Sequence, residues 1–216
     1  TATTFTATSS GLMTGDVISI GGDASFNDKN AGTAKSVDIT GLNLTGSDAA
    51  NYSLSTTTST STADITARPI TVSGIAGVGR EYDGSTVITL DGNGAIFTDI
   101  VSGDDLNVTS ATGALVDKNI GTAKSIVIGS TQYGGTDVGN YVITDQATTT
   151  AEITAKSVTV SGITGVGREY DGSTVITLDG SGAIFNDIVS GDDLNVTSAN
   201  GALVDKNIGT AKSIVI

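Results

Sequence analysis

Gly79-Arg80-Glu81-Tyr82-Asp83-Gly84-Ser85-Thr86 returns unchanged as Gly167-Arg168-Glu169-Tyr170-Asp171-Gly172-Ser173-Thr174, 88 residues later. Its surroundings return as well. Asp-Lys-Asn stands at 28–30, 117–119 and 205–207, and Gly-Thr-Ala-Lys-Ser at 32–36, 121–125 and 209–213. Asn51-Tyr52 matches Asn140-Tyr141, and Asp64-Ile65-Thr66-Ala67 matches Glu152-Ile153-Thr154-Ala155. The chain is a tandem array, so its fold is the fold of one module. Residues 1–67 make an incomplete first copy, 68–155 a complete second and 156–216 an incomplete third. A start at Thr1 and a stop inside a motif at Ile216 lead us to expect a piece of a longer polypeptide.

A period of 88 residues exceeds the roughly 20–50 residues of solenoid repeats and suits a domain with its own core. The expectation is modules in a row, joined end to end. Copies two and three differ at only seven of 61 aligned positions. Such near-identity invites strand swapping between neighbours, so an array that keeps it gains from length or valency. That motive is structural rather than catalytic.

Composition sets the class. Thr, Ser, Gly, Val, Ile, Ala and Asp dominate, which favours strands over helices. At 38% apolar residues, with few aromatics, the chain can bury a thin core of Val, Ile and Leu. A net charge of −13 argues against nucleic acid and anionic lipid as partners. No apolar run approaches the roughly 20 residues of a membrane span, so direct membrane insertion is not expected. The sequence holds no Cys and no His. That removes disulfides, thiolate chemistry and the commonest general base and zinc ligand.

Strand patterns in copy two fall at Ile70–Gly74, at Val87–Leu90 as a short buried run, and at Leu106–Thr109. Others fall at Lys124–Ile128, Asn140–Thr144 and from Thr148 onward. Gly and Asp clusters mark turns at 83–84, 91–94, 103–105 and 134–135. The spacing of Ile96, Phe97, Ile100 and Val101 predicts a short helical turn over 95–101, repeated over 183–189. The all-Ser/Thr run 55–62 reads as a loop or an edge strand. No Gly-rich linker separates copies two and three, and Pro69 stiffens the other junction.

Tyr82-Asp83-Gly84-Ser85-Thr86, Ser102-Gly103-Asp104-Asp105, Asp117-Lys118-Asn119-Ile120-Gly121, Gly139-Asn140-Tyr141 and Ile153-Thr154-Ala155-Lys156 together resemble the YDG domain. Copy one adds Leu44-Thr45-Gly46-Ser47-Asp48-Ala49-Ala50-Asn51-Tyr52, close to that family's pattern. The resemblance spans essentially the whole chain. It implies a module of large exported bacterial proteins, filamentous-haemagglutinin-like adhesins among them, and it implies no catalytic residues. The chain departs from the family at Ala67 and Ala155, where Pro is usual, and at Tyr133-Gly134-Gly135-Thr136-Asp137-Val138.

Several motifs invite chemistry. Tyr82-Asp83-Gly84 and Tyr170-Asp171-Gly172 read first as turns closing on the core: an aromatic face, an Asp bonding its own backbone, a Gly free to take positive φ. Asp83, Asp91, Asp99, Asp104 and Asp105 offer hard oxygen ligands, so calcium is the one cofactor to consider. None of them has EF-hand or nonapeptide spacing. Asp117-Lys118-Asn119 cannot itself form an isopeptide pair, because adjacent strand residues point to opposite faces. Without His a hydrolase would need a Ser-Lys dyad, and no nucleophile elbow is present.

The resulting expectation is an all-β chain of tandem, elongated β-sandwich or grasp-like modules of about 88 residues, with at most a short helical turn each. Its role would be a non-enzymatic stalk or fibre segment of an extracellular or cell-surface bacterial protein. Expected partners are neighbouring modules and other copies of the chain. Two alternatives are a filament subunit joined head to tail by strand complementation and a cation- or carbohydrate-binding adhesive module. The motif residues Asn51, Tyr52, Asn140 and Tyr141 are taken as structural.

Overall fold

The computed structural model describes residues 10–216, and the first nine residues of copy one lie outside it. The described chain is all-β: strands joined by turns, with two single-turn 3-10 segments, Ala49–Asn51 and Val138–Asn140. No helix among the described residues is long and apolar enough to cross a membrane.

Two compact units emerge, and their limits follow packing rather than the repeat boundaries. One holds the chain up to Ile75 with Asp91–Ala111 and Ser130–Ala147. The other holds Ala76–Leu90, Thr112–Gly129 and Thr148–Ile216. Strands Asn107–Leu115 and Gly121–Gly134 contribute residues to both.

In the first unit, Ser19–Phe26, Gly32–Thr45 and Ser59–Ile65 form a three-stranded antiparallel sheet with Gly32–Thr45 at its centre. The Ser/Thr run thus ends in an edge strand. Val37 and Ile39 are buried, two residues apart, as strand alternation requires. In a second sheet of this unit, Arg68–Ser73 lies between Tyr141–Thr144, its parallel partner, and Ile96–Thr98, its antiparallel partner. Pro69 faces Val142, outside the stretch 71–73 that pairs with the third strand. A residue without an N–H is tolerated where the strand is paired on one side. Ile70, Val72 and Ile75 are buried here.

In the second unit, Val87–Asp91 pairs antiparallel with residues 112–114 of Asn107–Leu115. Gly121–Gly134 pairs antiparallel with Thr148–Thr154, which in turn runs parallel to Arg80–Glu81. Ile88, Leu115, Ile126, Ala151 and Ile153 form the core, with Tyr82 and Leu90 packed against them. Copy three repeats these pairings: Thr159–Ser161 with Ile184–Asn186, and Thr164–Gly165, Val175–Asp179, Asn200–Leu203 and Ile214–Val215 in one sheet. Between Thr154 and Thr159 the chain leaves β-structure for four residues, so the second junction is a short join and not one continuous strand.

Two expectations need correction. Residues 96–98 and 184–186 are strands, not helical turns. Val72 pairs with Phe97, whose ring meets Tyr133 edge-on at 5.9 Å. Asp99 and Asp187 then take φ of 65° and 66°, a left-handed conformation that ends the strand and forbids an α-helical continuation. The cross-strand partner outweighed an apolar spacing with few helix formers around it. The Val87–Leu90 run also alternates instead of being buried throughout: Val87 is 74% exposed beside Ile88 at 6%.

Candidate functional site

The YDG stretch is a self-bonded turn. Asp83 Oδ1 accepts from Arg80 Nη2 at 2.7 Å and from the Ser85 N–H at 2.9 Å, while Oδ2 accepts from Arg80 Nε at 2.9 Å. Arg80 also donates to the Ser85 carbonyl at 2.6 Å. Gly84 sits at φ 78°, where a side chain would strain the backbone. Copy three builds the same turn from Arg168, Asp171, Gly172 and Ser173. Arg80 and the turn N–H hold the Asp83 carboxyl below the usual carboxylate range.

A second arrangement links successive copies. The Lys29 ammonium, from the Asp-Lys-Asn turn of copy one, lies 2.7 Å from Asp104 Oδ1 and 2.8 Å from Asp137 Oδ1 of copy two. The Tyr141 hydroxyl donates to Asp104 Oδ2 at 2.7 Å and accepts from the Val101 N–H at 3.0 Å. Asp137 Oδ2 accepts from the Asp105 N–H at 3.0 Å and from the Thr136 hydroxyl at 3.1 Å. Each carboxylate is thus fixed by one oxygen and offers the other to lysine. Alongside, Asn140 Oδ1 accepts from the Ala31 N–H at 2.8 Å, and its amide donates to Asn30 Oδ1 at 3.3 Å. The turn carrying Lys29 is itself preset: Asp28 accepts from the Asn30 N–H at 2.8 Å and pairs with Lys35.

The electrostatics are one-directional. Lys29 holds Asp104 and Asp137 below the usual carboxylate range, with Tyr141 adding to the effect on Asp104 and the Asp105 N–H to that on Asp137. The two carboxylates hold Lys29 above the usual ammonium range. Tyr141, 8% exposed, is pushed up by burial and then by the Asp104 carboxylate it faces.

The lysine recurs. Lys118, from the Asp-Lys-Asn turn of copy two, lies 2.7 Å from Asp192 Oδ1 of copy three and 5.7 Å from the Tyr82 ring centroid. Tyr82 therefore does more than close its turn. Its ring faces the ammonium that reaches the next copy, a cation–π placement, beside a cavity of about 280 Å³ lined by Ile120, Val158, Ile188 and Val189.

The model of the YDG domain family matches residues 1–60, 66–151 and 154–216. The chain belongs to the YDG domain family. No curated protein and no solved structure matches it. Within this YDG chain, the Asn-Tyr motif residues Asn140 and Tyr141 hold the joint to the preceding copy, and Asn51 and Tyr52 stand at the same place in copy one. Of the calcium candidates, Asp83 is held by Arg80, Asp91 accepts from the Asn93 N–H at 2.9 Å, Asp104 is held by Lys29, and Asp105 accepts from the Thr136 N–H at 3.3 Å. Among the described residues no group of three carboxylates converges as a metal site would require. Tyr170, the copy-three counterpart of Tyr82, is 61% exposed. Sequence reasoning met Lys29, Lys118 and Asp137 only as members of repeat motifs, gave them no partner in another copy, and did not single out Asp192. The signal that could have found them is charge kept at one place in every copy: Lys29, Lys118 and Lys206, and Asp16, Asp104 and Asp192.

Proposed function

We propose that this chain is a structural repeat segment, a stalk or fibre, of a large secreted or cell-surface bacterial adhesin or matrix protein. Its work is to set spacing, not to catalyse. The observation that carries the reading is the lysine joint: the same turn of copies one and two reaches a carboxylate of the following copy, at Lys29–Asp104 and again at Lys118–Asp192. Near-identical copies joined by a repeated contact make sense in a spacer, where length and stiffness are what selection sees. The acidic composition and the YDG turns, whose Asp is held by its own Arg and backbone, support the same reading.

The test is small-angle scattering and negative-stain microscopy on the 216-residue chain and on the Lys29→Gln/Lys118→Gln double variant. The expected result is particles of uniform length for the parent and a broadened distribution of lengths for the variant. Parent particles as variable as the double variant would overturn the spacer reading.

A further inference from the structure

Asn-Gly occurs at 93–94, inside the complete copy, and at 200–201 in copy three. The backbone treats the two differently. Asn93 and Gly94 are the central residues of a turn that the Ala95 N–H closes on the Gly92 carbonyl at 3.0 Å. Both are exposed, and the Gly94 N–H donates to no acceptor among the described residues. Asn200 is exposed as well, but it lies in a strand, where Asn200 and Gly201 face Thr177 and Ile176. A strand sends its side chains out of the sheet and its N–H groups along it, which keeps the Asn200 amide away from the next nitrogen.

We propose that Asn93 is a site of spontaneous covalent modification, at which the Gly94 nitrogen attacks the Asn93 side-chain amide. The Gly94 nitrogen loses its proton to water and bonds to Asn93 Cγ. The Cγ–Nδ2 bond breaks, and Nδ2 takes up a proton and leaves as ammonia. Glycine favours the step because no side chain obstructs the five-membered imide that forms. Water then opens the ring. Attack at Cγ gives aspartate; attack at the main-chain carbonyl gives isoaspartate, with the main chain rerouted through Cγ. Nothing is oxidised or reduced, and water is the only co-reactant.

The place matters. Asp91 Oδ1 accepts from the Asn93 N–H at 2.9 Å, so either product sets a second carboxylate beside Asp91. Isoaspartate also adds one methylene to the main chain next to a tight contact. Gly74, at φ 82°, approaches so closely that a Cβ there would lie 2.3 Å from the Gly94 carbonyl oxygen. That contact closes the end of the pairing between Arg68–Ser73 and Ile96–Thr98, so the longer main chain should loosen it. Copy three supplies its own control. Its turn repeats the geometry, with Ser181 N–H to Asp179 Oδ1 at 2.8 Å and Ala183 N–H to the Gly180 carbonyl at 3.0 Å. Ser181 has no amide to lose.

The chain is aged in mildly alkaline buffer made with ¹⁸O water, once folded and once in denaturant. Electron-transfer fragmentation of its peptides separates aspartate from isoaspartate. The expected result is that Asn93 converts nearly as fast folded as unfolded, with isoaspartate exceeding aspartate several-fold. Folding should slow Asn200 many-fold. Asn93→Ser, the residue copy three carries, should abolish the product at that position alone. Amides of the 71–73 and 96–98 pairing should exchange several-fold faster in the aged chain than in the fresh one. Folding that protects Asn93 as strongly as Asn200, or a product without isoaspartate, would overturn the modification site. Unchanged exchange in fully converted chain would overturn the loosening.

Discussion

Lys29, itself exposed, stands where two largely buried carboxylates and a buried tyrosine hydroxyl meet, and its behaviour with pH follows from that company. Asp104 and Asp137 sit below their ordinary value of 3.8 in the folded chain. Their contribution to the joint is therefore present above that value and lost as pH falls through the lower folded values. Lys29 sits above its ordinary 10.5, so its contribution is present below 10.5 and is lost only as pH rises through the higher folded value. The joint thus holds across neutral pH and opens in acid below the ordinary carboxylate range. Hydrogen exchange at the Ala31 amide, which bonds Asn140 across the joint, should speed up several-fold there and in Lys29→Gln at pH 7. Tyr141→Phe removes the hydroxyl that lowers Asp104 and should raise the Asp104 pKa in an NMR titration. Gly135 is a different kind of requirement. Its φ is 108° and a Cβ there would collide with the Asp105 carbonyl, next to the N–H that holds Asp137. Gly135→Ala should cost about 1–3 kcal/mol in denaturant unfolding, because strained φ and a backbone clash coincide.

Strands were legible in the sequence wherever β-branched residues alternate. Ile70-Thr71-Val72 and Lys124-Ser125-Ile126-Val127-Ile128 bury every second residue, as their pattern asks. Ile126 is fully buried in the second unit's core, so Ile126→Ala should lower unfolding free energy by about 2–5 kcal/mol, measured by denaturant titration. Residues 95–101 misled because apolar side chains at i, i+1, i+4 and i+5 satisfy a helix as well as a strand followed by a turn. Only the partner strand at 71–73 and the left-handed Asp99 separate the two, and neither shows in a local window. The 3-10 turns at 49–51 and 138–140 were invisible for the opposite reason: three residues carry no period. The joint was hidden more deeply. Lys29 and Asp104 are 75 residues apart and belong to different copies, so no motif within one module contains both.

For the molecule as a whole, charge is the property that experiments reach most easily. The net charge of −13 is spread over the chain, and the turn carboxylates Asp83, Asp91, Asp104 and Asp105 already accept backbone or cationic donors. Millimolar calcium should therefore leave the melting temperature unchanged, as should a chelator. A calcium-dependent rise of several degrees in a thermal scan would return the acidic turns to consideration as ligands. Salt should weaken the joint only modestly, since its lysines touch largely buried carboxylates at 2.7–2.8 Å, well inside the screening length of about 10 Å at 0.1 M. Amide cross-links formed by a water-soluble carbodiimide at Lys29–Asp104 and Lys118–Asp192 should therefore persist, falling only slightly, as salt rises. One feature of the complete copy gives it a mechanical character. Arg68–Ser73, near the start of the repeat, runs parallel to Tyr141–Thr144, near its end, through four facing pairs from Tyr141–Arg68 to Thr144–Thr71. Tension applied across the repeat draws two parallel strands in opposite directions along their own length. The four rungs then carry load together, as a lap joint does, instead of opening one after another like a zip. Resistance to pulling is set by the unfolding barrier rather than by equilibrium stability. A repeat with a thin core can in this way resist a pull along its length.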